Sequence, residues 1–153
     1  MVRIVLVYPQ IPPNTGNVAR TCAATQTELH LVEPLGFEIT DRRLKRAGLD
    51  YWPYVQVYCH GSWDAFQASA QHQGGRCIGF STRGSVNYLS FQFEPDDWLL
   101  FGSESQGLPE EILANCSATV HIPMVEPQVR SLNLSVSAAL GLFEARRQLG
   151  LLR

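Results

Sequence analysis

Lysine is nearly absent from this sequence. Of its 12 lysine and arginine residues only Lys45 is a lysine, and the 14 acidic residues leave a formal net charge of -2 and a pI of about 6.1. This balance excludes a protein that binds nucleic acid through overall positive charge, and it leaves room only for a local cationic patch. Arginine suits bidentate contacts with phosphate, although a GC-rich genome would produce the same bias.

Paired cysteines, clustered histidines and long apolar runs are also missing. The cysteines form no C-x-x-C pair, which argues against a disulfide framework or a zinc site and favours free thiols in a reducing cytosol. The 4 histidines are dispersed, so we expect no metal site. The N-terminal apolar run stops at Pro9 and the charge-free segment 131–143 is too short to cross a bilayer. We therefore expect a soluble, cytoplasmic protein without a membrane span.

Strand and helix signals alternate along the whole chain. Apolar runs predict strands at 3–8, 29–34, 54–59, 76–82, 98–102 and 118–123. Helical patterns cover 17–26, 41–49, 63–72, 109–115 and 131–149, with Ser62 as the expected N-cap of the third. This alternation predicts a single α/β domain over residues 1–153, in which helices cover both faces of a parallel sheet. Ligands of such sheets bind in the loops that follow the carboxyl ends of the strands.

The last predicted helix is apolar on every side between Leu132 and Phe143. A helix of this kind must be covered all round. A domain of this size rarely buries a helix completely, so a partner subunit is the expected cover, with full internal burial as the alternative.

Three loops after predicted strands have compositions suited to a ligand site: "NTGNVAR" (14–20), "LLFGSESQGLP" (99–109) and "HIPMVEPQVRSLNLSVS" (121–137). Each signal is weak by itself, because Asn and Gly are common in turns. The second loop is neither G-x-G-x-x-G nor a P-loop, and G-x-S-x-G is absent. The pattern alone therefore indicates only an α/β protein with a Gly-rich ligand site.

In this order and spacing, the loops resemble the three motifs of the SPOUT superfamily of knotted RNA methyltransferases. The matching stretches are N-x-G-N-x-x-R (14–20), "FGSESQGLP" (101–109) and "IPM" followed by "RSLNLS" (130–135). Four further stretches resemble the minimal single-domain subfamily, whose members methylate the ribose 2′-OH of the wobble nucleotide 34 in tRNA: "IPPNTGN", "EPLGF", "RRLKRAGLDY" and "EARRQLG".

The resemblance implies a homodimer of α/β domains with a parallel-sheet SPOUT fold, each with a deep C-terminal trefoil knot. It implies S-adenosylmethionine as the cofactor and the anticodon stem-loop of tRNA as the substrate. It also points to leucine isoacceptors, whereas the residues themselves specify neither the isoacceptor nor the choice between cytidine and uridine.

Cofactor contacts are carried over to four residues, namely Phe80, Gly102, Ile122 and Ser131. Each position also has an ordinary structural explanation. Ile122 could be plain core packing, Gly102 could serve a tight turn, and Ser131 could be an N-cap.

Arg20 is the catalytic candidate that the resemblance implies. A guanidinium stays protonated in proteins, so a role as general base is unfavourable. Fixed donors better suit holding a phosphate and stabilising developing alkoxide charge. The alternative is a solvent-facing helix residue.

RNA contacts are expected from Arg130 and from the basic stretch that contains Arg42, Arg43 and Arg46. A solvated helix face would show the same run of charge. The subfamily's "SNAV" and tyrosine are replaced by "SVSA" (135–138) and Phe143, which bears on substrate detail rather than on the reaction class.

Three other functions stay open on the sequence. The first is a ribosomal RNA 2′-O-methyltransferase, although such members often carry an additional RNA-binding domain. The second is a knotted RNA-binding protein without catalysis, and the third is an ordinary dinucleotide-binding protein.

Overall fold

Seven strands, all paired in parallel, form one sheet in the computed structural model, which describes residues 1–40, 42, 46 and 51–153. The strands are β1 Arg3–Val7, β2 Leu29–Val32, β3 Val57–His60, β4 Cys77–Phe80, β5 Val86–Asn87, β6 Trp98–Phe101 and β7 Ala118–His121. Their order across the sheet is β3-β2-β1-β6-β4-β7-β5. The predicted parallel sheet is confirmed.

The central strands are buried on both faces. Every residue of β1, β2 and β6 is buried, as expected for apolar strands covered by helices on either side. Successive side chains of β1 alternate between two cores: Ile4 and Leu6 belong to one, and Val5 and Val7 to the other.

In the described part of the chain, the α-helices with defined bounds that cover the sheet are α1 Pro12–Thr25, α2 Trp63–Gln73, α3 Glu110–Asn115 and α4 Leu134–Gln148. Helices α1 and α4 pack on one face, where Val18 and Leu142 enter the first core. Helices α2 and α3 pack on the other, where Phe66 and Ile112 enter the second. The Ser62 N-cap is confirmed by its side chain, which accepts a hydrogen bond from the Ala65 N–H at 3.0 Å.

The predicted start of α1 at residue 17 is wrong, because the helix begins at Pro12. Proline fits the first helical turn, where its missing N–H would have no intrahelical partner. The segment 12–16 is therefore helix rather than a turn. Arg20 consequently lies about two turns inside α1, at 3.6 residues per turn, instead of one.

Other elements also differ from the sequence predictions, most of them by one to three residues at an end. The strand predicted at 54–59 begins only at Val57, after a one-turn 3-10 helix over Trp52–Tyr54. The two-residue strand β5 carries too short a pattern to be predicted. Helix α4 begins at Leu134, and its N-cap is Asn133 rather than Ser131. Of the predicted basic helix only Arg42 and Arg46 are described; both are helical and exposed, and the rest of it, including Arg43, lies outside the described residues.

Helix α4 is not fully covered by this chain. Val136, Leu140 and Phe143 are 46%, 38% and 44% exposed and recur every three or four residues, which places them on one side of the helix. Full internal burial of α4 is therefore wrong.

All four cysteines are free. Burial raises the pKa of the Cys22 and Cys116 thiols to about 12 and that of Cys77 to about 11, so these three are inert at neutral pH. Among the described residues, no group of three or more His, Cys, Asp or Glu side chains could hold a metal ion. None of the helices in the described part of the chain combines the length and hydropathy needed to cross a membrane.

Candidate active site

A cavity of about 260 Å³ lies at the carboxyl ends of β4, β6 and β7. Its walls come from the loops that follow these strands and from the start of α4. This is the edge at which parallel α/β sheets bind their ligands.

The structure brings all four predicted cofactor residues together. Phe80 ends β4, Gly102 follows β6, and Ile122 and Ser131 lie in the loop between β7 and α4; each lines the cavity. Arg130, predicted to contact RNA, lines it as well.

Gly102 shapes the wall through close backbone packing. A Cβ at this position would overlap the backbone of Gly107 and Leu108, so no other residue fits without moving the loop. Gly107 has a φ of +70°, and its N–H donates to the Ser103 carbonyl at 2.9 Å. The tight-turn explanation for these glycines is therefore correct, and the turn itself forms one wall of the cavity.

Phe80 and Ile122 contribute in different ways. The Phe80 ring stacks on Phe101 with centroids 4.5 Å apart, so this side chain belongs to the core beneath the cavity. Ile122 is only half-buried. Within the described residues, neither its N–H nor its C=O makes a backbone hydrogen bond, so both can pair with a ligand.

Ser131 is free of the capping role that the sequence allowed. Asn133 caps α4 by accepting hydrogen bonds from the N–H groups of Ser135 and Val136, at 2.8 and 3.4 Å. The exposed Ser131 lies two residues before the cap, on the cavity wall.

A hydrogen-bonded network joins the three motif loops, and its members were not among the predicted site residues. The Glu104 carboxylate accepts from the backbone N–H groups of Gln10 and Ile11, each at 2.8 Å, and from the Asn14 side chain at 3.2 Å. The Asn14 carbonyl oxygen in turn accepts from the Asn133 amide at 3.1 Å. The available sequence signal was the lone acid Glu104 between two glycines.

A second cation at the cavity was also missed. Arg83 follows β4 and lines the cavity together with Arg130. Its guanidinium forms an exposed ion pair with Glu110 at 2.6 Å. Its position just after a strand end was the signal that could have identified it.

Arg20 does not line this cavity. It is exposed on α1, where its Nη2 donates to the Tyr51 hydroxyl at 3.3 Å and its guanidinium carbon lies 4.7 Å from the centre of the Tyr51 ring. Arg42 and Arg46 are also outside the cavity lining. The structure therefore separates the predicted catalytic residue from the predicted cofactor residues within one chain.

The donor set fits S-adenosylmethionine. The free N–H and C=O of Ile122 match the edge of an adenine, and the side chains of Leu108, Ile122 and Leu134 give the cavity apolar surface for its ring. Arg83 and Arg130 add positive charge to the cavity wall, which suits an anionic group such as a carboxylate or a phosphate. A cavity that combines apolar surface with polar and charged groups suits a ligand with an aromatic ring and a charged end.

Comparison with known proteins also finds similarity to methyltransferases. The model of the SpoU rRNA Methylase family matches residues 1–143. The chain is 50% identical over 152 residues to the tRNA (cytidine(34)-2'-O)-methyltransferase of Burkholderia cenocepacia, and the match covers 98% of this chain and 97% of the relative.

Two solved structures are also similar. One, which gives structural insights into the 2-OH methylation of C/U34 on tRNA, has 50% identity and a TM-score of 0.94, with 98% of this chain and 97% of that chain covered. The other, an AdoMet-bound rRNA methyltransferase from Sinorhizobium meliloti, has 26% identity and a TM-score of 0.88, with 97% of this chain but 56% of that chain covered.

Proposed function

The chain belongs to the SpoU rRNA methylase family, and on that premise we propose that it transfers a methyl group from S-adenosylmethionine to the ribose 2′-OH of cytidine or uridine 34, the wobble nucleotide of tRNA. The observation that carries the proposal is the convergence of Phe80, Gly102, Ile122 and Ser131 on one cavity. The full-length similarity to tRNA (cytidine(34)-2'-O)-methyltransferases supports the choice of substrate. Leucine tRNAs are the proposed isoacceptors.

The cofactor would be held by the Gly102 loop, the backbone of Ile122 and the side chain or amide of Ser131. When bound, it supplies a methyl group on a sulfonium, which is already a good electrophile. The chain's own task is then to align the ribose hydroxyl and to favour the loss of its proton. Arg130 lies on the cavity wall, where it can hold an RNA phosphate beside the cofactor.

Arg20 is the proposed catalytic residue. Guanidinium groups are poor bases in proteins, so the proposed task of Arg20 is to orient the phosphate beside nucleotide 34 and to stabilise charge on the 2′ oxygen, while the phosphate or a water takes the proton. Its contacts with Tyr51 support this role, because they hold the exposed guanidinium in one direction.

We further propose a homodimer in which Arg20 of one protomer completes the cavity of the other. Two features support it: Arg20 is not among the residues that line the cavity of its own chain, and α4 has exposed apolar side chains. The deep trefoil knot, the single-domain organisation and the cytoplasmic location are part of the same proposal. Arg42, Arg43 and Arg46 would hold the anticodon stem.

Ribosomal RNA is the second candidate substrate, because it appears in the family's description and in a structural relative. The share of each relative's length that this chain covers favours tRNA as the substrate. This chain spans 56% of the rRNA enzyme but 97% of the tRNA enzyme of Burkholderia cenocepacia.

Nucleoside mass spectrometry of tRNA from a deletion strain tests the proposed reaction. We expect 2′-O-methylated cytidine or uridine at position 34 to disappear and to return when the wild-type chain is expressed. An unchanged tRNA profile would overturn the proposal, and loss of a ribosomal methylation instead would favour rRNA. An unchanged methylation profile together with no binding of S-adenosylhomocysteine would indicate an RNA-binding protein without catalysis.

Replacing Arg20 with lysine tests its proposed role. Lysine keeps the charge but lacks the planar fork of donors, so we expect the methylation rate to fall about 10²- to 10³-fold, as when a single transition-state donor is lost. Affinity for S-adenosylhomocysteine should stay unchanged, because the proposed contacts of Arg20 are with the RNA and not with the cofactor. A near wild-type rate in this variant would contradict the bidentate role.

A further inference from the structure

We propose that Glu104 is a positioning residue: its carboxylate fixes the start of α1 against the cavity wall and thereby sets the place of Arg20. This inference rests on the proposed function for what Arg20 does, but the contacts of Glu104 stand on the structure alone.

The Glu104 carboxylate holds three donors from one short segment. Oε1 accepts from the Gln10 N–H, and Oε2 accepts from the Ile11 N–H and the Asn14 amide. Glu104 also lines the cavity, so one side chain touches both the cofactor loop and the beginning of α1.

This contact replaces the local cap that α1 lacks. The N-cap residue is Ile11, which has no side-chain acceptor, and the first turn contains no acidic residue. The positive end of the helix dipole therefore has no local anion, and Glu104 supplies one from 90 or more residues away in the chain. Hydrogen bonds to a carboxylate are also stronger than those to a neutral acceptor.

Further contacts strengthen the connection. The Gln10 side-chain oxygen accepts from the Ser105 hydroxyl at 2.7 Å, beside Glu104. Asn14 connects the same segment to Asn133, the N-cap of α4. The start of α1 is therefore joined to both loops that carry predicted cofactor contacts.

Helix α1 transmits this placement to Arg20. The residue lies about 12 Å along the helix from Pro12, at 1.5 Å per residue, and a helix packed on a core moves as a unit. A small shift at the start would therefore displace the guanidinium as well. Misplacement of a reacting group by about 1 Å can cost 10²-fold in rate.

The test uses Glu104→Gln, which keeps the size of the side chain but turns an amide NH2 group towards one of the donors. The control is Glu111→Gln, which removes an exposed carboxylate from α3 nearby. Hydrogen exchange at the Gln10 and Ile11 amides should accelerate in Glu104→Gln and not in the control. Unchanged exchange would overturn the proposal.

A double-mutant cycle tests whether Glu104 acts through Arg20. In the wild-type background we expect Glu104→Gln to lower the methylation rate about 10- to 100-fold. In an Arg20→Ala background it should lower the remaining rate less than about threefold, because there is no guanidinium left to misplace. Multiplicative losses in both backgrounds would overturn the proposal, because they indicate a merely structural role.

The same cycle is measured on affinity for the tRNA anticodon stem-loop. If the chain binds this RNA but methylates nothing, the proposed function fails, while non-additive binding losses would still support the role of Glu104.

If Glu104→Gln does not fold, Asn14→Ala replaces it, since this variant removes a single donor from the carboxylate. Additive losses for that variant would overturn the proposal.

Discussion

His30, on β2, is a buried histidine with both ring nitrogens engaged. Its Nδ1 lies 2.9 Å from His60 Nε2, and its Nε2 lies 3.3 Å from the Glu28 carboxylate. When His30 is neutral and its Nε2–H donates to Glu28, its Nδ1 carries no hydrogen and accepts from His60 Nε2–H. A proton added at His30 Nδ1 would face that N–H. The rings of Tyr58 and Trp98 pack against His30 and keep water away.

We expect this histidine to make folding stability depend on pH. Burial, together with the nearby His60 and Arg3 and opposed in part by Glu28, lowers the pKa of His30 from 6.5 to about 4. The unfolded chain therefore binds a proton first as the pH falls, so the stabilisation is complete above pH 6.5 and is lost as the pH falls towards 4. The free energy of unfolding should drop by about 2 kcal/mol between pH 7 and pH 5 from this group.

Urea unfolding across this pH range measures the effect. His30→Gln should flatten the pH dependence, whereas His72→Gln should not, because His72 is exposed on α2. Equal slopes for His30→Gln and the wild type would contradict the assignment.

Among single residues of the site, the sequence allowed the cavity lining to be predicted but not the groups that support it. Gly102 and Ser131 stand in motifs with a recognisable spacing, so their placement could be expected. Glu104 and Asn133 act through side-chain contacts between distant loops, and no local pattern specifies such partners. Arg20 lies further along α1 and does not reach the cavity, and this separation could not be predicted without the three-dimensional structure.

At the scale of elements, burial made strands easier to predict than helix starts. Strands β1, β2 and β6 are continuous apolar runs, and a run of this kind is a local signal. The start of α1 depends instead on Glu104, which compensates for the missing local cap. Strand β5 is likewise specified by a distant partner, because its two residues pair with β7.

Helix α4 packs closely on the sheet because residue 141 is glycine. A Cβ at this position would lie 2.8 Å from Cζ of the Phe80 ring and 3.1 Å from Cζ of Phe101, closer than ordinary packing allows. Both rings are buried and stacked on each other, so neither can rotate away freely.

Two opposing effects decide the outcome of Gly141→Ala. Alanine favours the helix by about 1 kcal/mol, whereas overpacking a core costs about 1–3 kcal/mol. We expect a net loss of about 1 kcal/mol and a Tm lower by roughly 2–4 °C, measured by thermal unfolding. Affinity for S-adenosylhomocysteine should also fall. The added methyl group pushes Phe80 and α4 apart, and both Phe80 and Leu134 of α4 line the cavity.

Gly61→Ala is the matched control for this substitution. Its new Cβ would lie 3.9 Å from the nearest atom, a Glu33 carboxylate oxygen, so the added methyl group meets no obstacle. A Gly141→Ala variant that is more stable than the wild type would show that helix propensity outweighs the contact with Phe80.

At the scale of the whole molecule, α1 and α4 form a layer with one apolar surface left uncovered. Val136, Leu140 and Phe143 lie on that surface, while Ala138, Leu142 and Ala145 of the same helix enter the core. In the proposed dimer, a two-fold axis would bring each copy of this surface onto the other, so a single substitution acts twice.

Leu140→Glu should therefore convert the dimer into a folded monomer. An unpaired charge in an interface costs about 3–5 kcal/mol, which weakens association by about 100-fold or more. Sedimentation velocity should show one protomer, whereas Leu89→Glu, which changes a 53% exposed leucine outside α4, should leave the dimer intact.

Because Leu140 does not line the cavity, the monomer should still bind S-adenosylhomocysteine. It should fail to methylate tRNA, since each cavity then lacks the Arg20 of a second protomer. A monomer that methylates tRNA at the wild-type rate would show that Arg20 serves the cavity of its own chain.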